Sequence, residues 1–199
     1  MKFDESLVKL VTEIVIEHLY GNSADITSAE RSNNPKEVVV GVGPAFGEGN
    51  AVTISGLEHK TVIAEIAAGI EEEGMDFRVV RVQKSSDVAA IGKEAANLSG
   101  SGIGIGVQSK GTAIIHQADL QILSNIELFP QAPLITLAHY RQIGKNAAKY
   151  AKGEAVTPVA VENDPMIRAV YQVKAALMHI KETERVDRRK TTVEWEGVR

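Results

Sequence analysis

Residues 98–112 read LSGSGIGIGVQSKGT, with glycine at 100, 102, 104 and 106 and with Ile103, Ile105 and Val107 in the alternate positions. Alternation with a period of two marks a strand, whose successive side chains point to opposite faces, so the glycines share one face and leave it bare. A glycine inside a strand gives up about 0.5–1 kcal/mol relative to alanine. Several on one face imply that something large approaches the backbone closely. A helix, a second subunit or a flat ligand could do so. The expectation taken forward is a ligand, or the subunit face that holds it.

Outward from this strand, apolar runs alternate with helical patterns from Lys36 on, which signals βαβ units. EVVVGV (37–42) and FRVVRV (77–82) read as strands, and GTAIIH and APLITL (132–137) as two more. Val62, Ile66 and Ile70 lie at helical spacing in a helix ending at Gly74. Ser85, Ser86 and Asp87 offer an N-cap for a helix to about Asn97, and a further helix spans 138–152. Asn163 or Asp164 caps the last long helix, with Pro165 at its first position and a core stripe of Met166, Val170, Val173, Leu177 and Ile180. TTVEWEGV suggests a C-terminal edge strand. The fold class is α/β: a Rossmann-like, mostly parallel sheet flanked by helices.

Residues 1–20 form an amphipathic pattern, with Phe3, Leu7, Leu10, Val11 and Ile14 opposite Glu5, Lys9, Glu13 and Glu17. Residues 21–35 are small and polar, the composition of a flexible linker. The α/β domain then covers 36–199. The N-terminal helix either packs on its own domain or a neighbour, or serves as a detachable docking or targeting segment.

Across 199 residues, 44% of them hydrophobic, one good core can form. The absence of cysteine removes disulfides and thiolate chemistry. With 22 Lys and Arg against 26 Asp and Glu there is no basic excess, so nucleic acid is not an expected partner. No apolar run is long enough for a bilayer, so no membrane is expected either. GVGPAFGEG after the first strand is a poor dinucleotide loop, because Pro44 interrupts it and no helix starts at once. The P-loop and nucleophile-elbow patterns are absent, and the five histidines lack metal spacing. No catalytic or metal-ligating residue is assigned.

Three features stay unabsorbed. Lys110 stands between Ser109 and Gly111, either a solvated charge or a donor presented by a loop. LSNIELFPQAP (123–133) is a non-periodic loop in which Asn125 is a turn residue or a contact. On the last helix, Arg168, Tyr171 and Ala175 form a second stripe, which is either a solvent face or a recognition face.

Together, VVVGVGPAFG, AGIEEEG, RVVRVQKSSDVA, NLSGSGIGIGVQSKGT, IHQADLQILSNIELFPQAPLITL, YRQIGKNAAKYAK and HIKET resemble the medium (beta) subunit of adenosylcobalamin-dependent propanediol (diol) dehydratase, close to its glycerol dehydratase relative. The resemblance runs from about Glu37 to Thr183. It implies an α2β2γ2 assembly with large (alpha) and small (gamma) subunits, in which adenosylcobalamin lies between this chain and the large subunit. The large subunit would supply the catalytic groups and a potassium or calcium ion. The implied reaction is radical conversion of a 1,2-diol to an aldehyde and water.

The implied cobalamin contacts are Asp87, Lys110, Asn125, Leu128, Pro130, Arg168 and Tyr171, the side chains through donors and acceptors and Leu128 and Pro130 through backbone groups. Asp87 is equally well a helix cap. Relatives often carry serine at Ala175 and proline at Ala169. The D-x-H-x-x-G pattern of base-off cobalamin modules is missing, so a bound cobalamin is expected to keep its own base. The first twenty residues resemble the extension that takes diol dehydratases into bacterial microcompartments, which favours propanediol over glycerol and implies the lumen within the bacterial cytoplasm, shell contacts and a reactivating factor. Two other readings compete with this one. One is the small subunit of that reactivating factor, which has no reason to keep the 108–111 and 123–133 loops, and the other is a nucleotide-binding module, weakened by its poor phosphate loop.

Overall fold

The computed structural model describes residues 28–48, 51–195 and 197, so the amphipathic segment 1–20 lies outside the described residues. Strands β1 (Glu37–Val42), β2 (Asp76–Arg81), β3 (Ile103–Val107), β4 (Ala113–Gln117), β5 (Glu127–Phe129) and β6 (Val193–Glu194) form one sheet in the order β5-β4-β3-β1-β2-β6. The helices are α1 (His59–Glu72), α2 (Val88–Leu98), α3 (Leu137–Ala151) and α4 (Pro165–Glu184).

Only the centre of the sheet is parallel. β1 pairs in parallel with β2 and β3, whereas β3–β4, β4–β5 and β2–β6 are antiparallel, which corrects the expectation of a mostly parallel sheet. The cause is connection length. A parallel crossover needs about a dozen residues or more, and the turn 108–112 between β3 and β4 is far shorter, so the chain must reverse.

The strand pleat sorts the core into two layers. Val38, Val40, Val42, Ile105, Val107 and Ile115 face α1 and α3, where Val62, Ile63, Ile66, Tyr140 and Ile143 cover them. Val39 and Val80 face the other way and meet Ile91 and Ala95 of α2. Asp87 caps α2 by accepting from the Ala89 (2.7 Å) and Ala90 (3.1 Å) amides.

The bare glycine face is used by this chain's own helix. A Cβ built on Gly104 would lie 2.2 Å from the Ala96 amide nitrogen, and one on Gly106 would lie 2.5 Å from that of Gly92. α2 therefore rests on the backbone of β3 and occupies that face itself. Gly102 precedes the strand at a positive φ of 78°, so it belongs to a turn.

Three more expectations change. Residues 132–137 are not a strand: Ala132–Leu134 is a 3-10 turn around Pro133, and Thr136 opens α3 with a capping box in which His139 reciprocates. The edge strand β5 arises instead inside the 123–133 loop. The apolar stripe of α4 is not core, since Met166, Val170, Val173, Leu177 and Ile180 are 69%, 74%, 73%, 56% and 53% exposed. Ile167, Tyr171, Ala175, Met178 and Glu182, at spacings of three and four, turn inward in their place. The expected edge strand at the C-terminus is present as β6, and Trp195 beyond it packs edge-on against Phe46, with centroids 5.8 Å apart. Residues 28–35 run along the domain: the Ala29 amide donates to the Thr192 carbonyl at 2.8 Å, and the Ser32 amide to that of Leu98 at 2.9 Å.

Candidate functional site

α4 crosses the carboxyl ends of β1 and β3 like a beam and leaves a cavity of about 230 Å³ beneath its N-terminal half. Ile54, Lys110, Thr112, Pro130, Arg168 and Tyr171 are among its walls. Residues from the loop after β1, the β3–β4 turn, the segment after β5 and α4 thus converge from distant parts of the chain. Four of the seven expected contacts, Lys110, Pro130, Arg168 and Tyr171, share this cavity. Ala175 lines it too, with no side-chain hydroxyl to offer.

The other three lie around it. Asp87 caps α2 and acts electrostatically on Lys110. Leu128 is half exposed on β5, and Asn125 is exposed just before that strand. Asn125 lies before β5 and Pro130 directly after it, so the strand separates the two. One ligand touching both Asn125 and Lys110 has to be broad.

The turn that presents Lys110 is held from several sides. His59, buried at the start of α1 and stacked on Phe46 at 4.0 Å, accepts from the Gly47 amide through Nδ1 and donates from Nε2 to the Ser109 carbonyl at 2.7 Å. Tyr140 of α3 donates to the Gly111 carbonyl at 2.6 Å. The Ile54 amide donates to the Lys110 carbonyl at 3.0 Å, and the Glu182 carboxylate receives the Ser109 amide at 2.9 Å. Such multiple fixation keeps a loop residue in place before any ligand arrives.

Burial lowers the pKa of the Lys110 amine, opposed by the charges of Glu182 and Asp87. Its amine makes no ion pair among the described residues. Nearby, the buried Thr112 hydroxyl has no hydrogen-bond partner among the described residues. An orphaned buried hydroxyl beside a partly desolvated cation in a largely apolar cavity suits a ligand that brings acceptors. The sequence reading missed Thr112 and Glu182. Thr112 stood in the opening stretch two residues after Lys110, whereas nothing in HIKET marked Glu182 as the buried one.

The dinucleotide reading fails on geometry. The Ala45 and Gly47 amides of the 43–48 loop are taken by Glu182 and His59, and the chain runs on to residue 58 before α1 begins. Among the described residues no group of three or more His, Asp or Glu side chains converges as a metal site.

Two solved structures show a limited likeness. A glycerol dehydratase reactivase is 21% identical, with 60% of this chain and 95% of that chain covered and a TM-score of 0.49. A diol dehydratase-reactivating factor complexed with ADP and Mg2+ is also 21% identical, with 63% and 99% covered and a TM-score of 0.47. Neither figure is high enough to carry an assignment. A profile of dehydratase medium subunits matches residues 43–157, from the loop after β1 to the segment beyond α3 and so more than half of the chain, and the chain belongs to the dehydratase medium subunit family.

Proposed function

We propose that this chain is the coenzyme platform of an adenosylcobalamin-dependent diol dehydratase, working on 1,2-propanediol or glycerol with a large and a small subunit in an α2β2γ2 assembly. The observation that carries the reading is the convergence of Lys110, Pro130, Arg168 and Tyr171 on one cavity with the unpartnered Thr112 hydroxyl. A cavity of about 230 Å³ is below the usual range for enclosing even a drug-sized ligand, so it takes only an edge or side arm of a corrin. The rest of the coenzyme needs a second wall, which the large subunit supplies.

When bound, the coenzyme supplies the radical that starts conversion of the diol to an aldehyde and water. This chain's residues bind and orient. Lys110 and Arg168 donate to phosphate or amide oxygens, and Asp87 and Asn125 accept from amide N–H groups. Leu128 and Pro130 offer backbone groups, and Tyr171 closes the apolar wall. The exposed stripe of α4, a few residues from this cavity, is where the large subunit docks. Residues 1–20 would direct the assembly to a microcompartment lumen in the bacterial cytoplasm, and a reactivating factor would exchange damaged coenzyme.

The test is Lys110→Ala in the reconstituted three-subunit complex. Cobalamin affinity is expected to fall by about 1–3 kcal/mol, as for loss of a charge-assisted hydrogen bond, with assembly unchanged on gel filtration. Unchanged cobalamin affinity in Lys110→Ala and in Arg168→Ala would reject the platform.

A further inference from the structure

Glu182 is the only one of α4's twenty residues to be buried, at 1% exposure. Its carboxylate accepts from the Ala45 amide at 3.3 Å, from the Ser109 amide at 2.9 Å and from the Ser109 hydroxyl. These donors stand just past the carboxyl ends of β1 and β3, adjacent parallel strands at the point where the chain changes faces: α1, which leaves β1, covers one face of the sheet and α2, which leads into β3, covers the other. In open α/β sheets that crevice receives ligands, and backbone N–H groups pointing into a turn make an anion seat there. Gly43 widens it: a Cβ on Gly43 would lie 2.0 Å from a Glu182 carboxylate oxygen.

α4 has few other fastenings. Lys174 Nζ donates to the Ile54 carbonyl at 2.7 Å, the Thr183 and Ser86 hydroxyls meet at 3.0 Å, the C-cap residue Arg185 pairs with the exposed Glu48 carboxylate, and Asp164 and Gln131 exchange bonds at the N-terminal end. Between these points the helix spans open space, the cavity under residues 167–175 on one side of Lys174 and a second one under residues 174–185 on the other.

We propose that Glu182 is a positioning residue: its carboxylate fills the anion seat at the ends of β1 and β3, and by filling it holds α4, with Arg168 and Tyr171, over Lys110. The coenzyme half of this inference rests on the platform reading; the anchoring half does not. A helix rises about 1.5 Å per residue, so Arg168 lies roughly 21 Å along the axis from Glu182. Without the Glu182 anchor, α4 keeps its fastenings at Lys174 and at the Asp164–Gln131 pair but loses its only buried one, and its fit over the cavity loosens. The seat fits a two-oxygen anion, because the Ala45 amide meets one carboxylate oxygen and the Ser109 amide and hydroxyl meet the other.

The experiment compares wild type, Glu182→Ala and Glu182→Gln in the full chain by peptide-level hydrogen exchange, with sodium formate or sodium chloride at equal ionic strength. Glu182→Ala is expected to speed exchange across residues 165–180 by about tenfold or more while β1, β3 and α1 keep their protection, and formate, which fits the vacated seat, should restore part of it. Glu182→Gln keeps the shape and one acceptor, guards against a folding defect, and should fall between the two. In the three-subunit complex, cyanocobalamin affinity by equilibrium dialysis should weaken about tenfold in Glu182→Ala and recover with formate but not chloride. Wild-type exchange across α4 in both variants would overturn the proposal, as would a loss of protection spread evenly over sheet and helices that formate does not relieve. If the wild-type complex binds no cyanocobalamin, the platform reading fails while the exchange result still decides the anchor.

Discussion

At Gly104 the strand and the helix behind it meet so closely that no side chain fits between them. Gly104→Val places a branched side chain against the backbone of Ala95 and Ala96, which can yield only by lifting α2. The isolated chain should lose about 1–3 kcal/mol or more, read as a lower urea midpoint at unchanged slope, despite valine's better strand propensity. His59 gives a second prediction at this scale. Burial, aided by the charge of Arg81, holds its pKa below the ordinary 6.5, against the pull of its bond to the Ser109 carbonyl. The unfolded chain then binds the proton more readily, so the stability tied to neutral His59 is intact above about pH 6.5 and is lost as the pH falls from there towards the lowered folded value. Urea midpoints measured between about pH 7.5 and about pH 5.5 should fall on acidification, and His59→Gln should start lower and lose that part of the slope. Lys110 was legible because a lysine between serine and glycine after a strand is conspicuous. His59 was not, because its role depends on Ser109, fifty residues away in sequence.

Elements with a strong period were read correctly, and those set by turn chemistry were not. β1, β2, α1 and α2 follow their apolar spacing, and α3 begins where Thr136 caps it. The 132–137 run looked like a strand because its residues are apolar, yet Pro133 and the Thr136 cap decide it locally. Thr136→Ala should cost about 1 kcal/mol of stability, measurable by thermal melting. α4 misled for a different reason. Its broader apolar stripe was assigned to the core, when a face can be apolar because a partner chain covers it. Val173→Glu tests this: at 73% exposure it should change the isolated chain's stability by no more than about 0.5 kcal/mol, yet prevent co-purification with the large subunit. A stability loss of several kcal/mol with normal co-purification would assign the stripe to this chain's own packing.

For the whole molecule, the α/β class was legible but the direction of the outer strands was not, since that depends on which connections are long enough to cross over. The candidate site was legible mainly as isolated residues, and the cavity joining them exists only because α4 lies across the sheet. Purified alone, the chain should form no aldehyde from a 1,2-diol with added adenosylcobalamin, and co-expression with large and small subunits should restore turnover. Turnover by the chain alone would place the chemistry here. The bonds that hold α4 over the cavity link residues far apart in the chain: 137 positions separate Ala45 from Glu182, and 120 separate Ile54 from Lys174. Closing loops of that length is entropically costly and is repaid only once the strands that place Ala45 and Ile54 have formed. In kinetic terms the central sheet is the early part of the molecule and the beam across it the late part. A nascent chain that has not yet delivered residue 182 also lacks β6, so it can hold β1 to β5 with the crevice open, and the binding surface is completed only when α4 arrives.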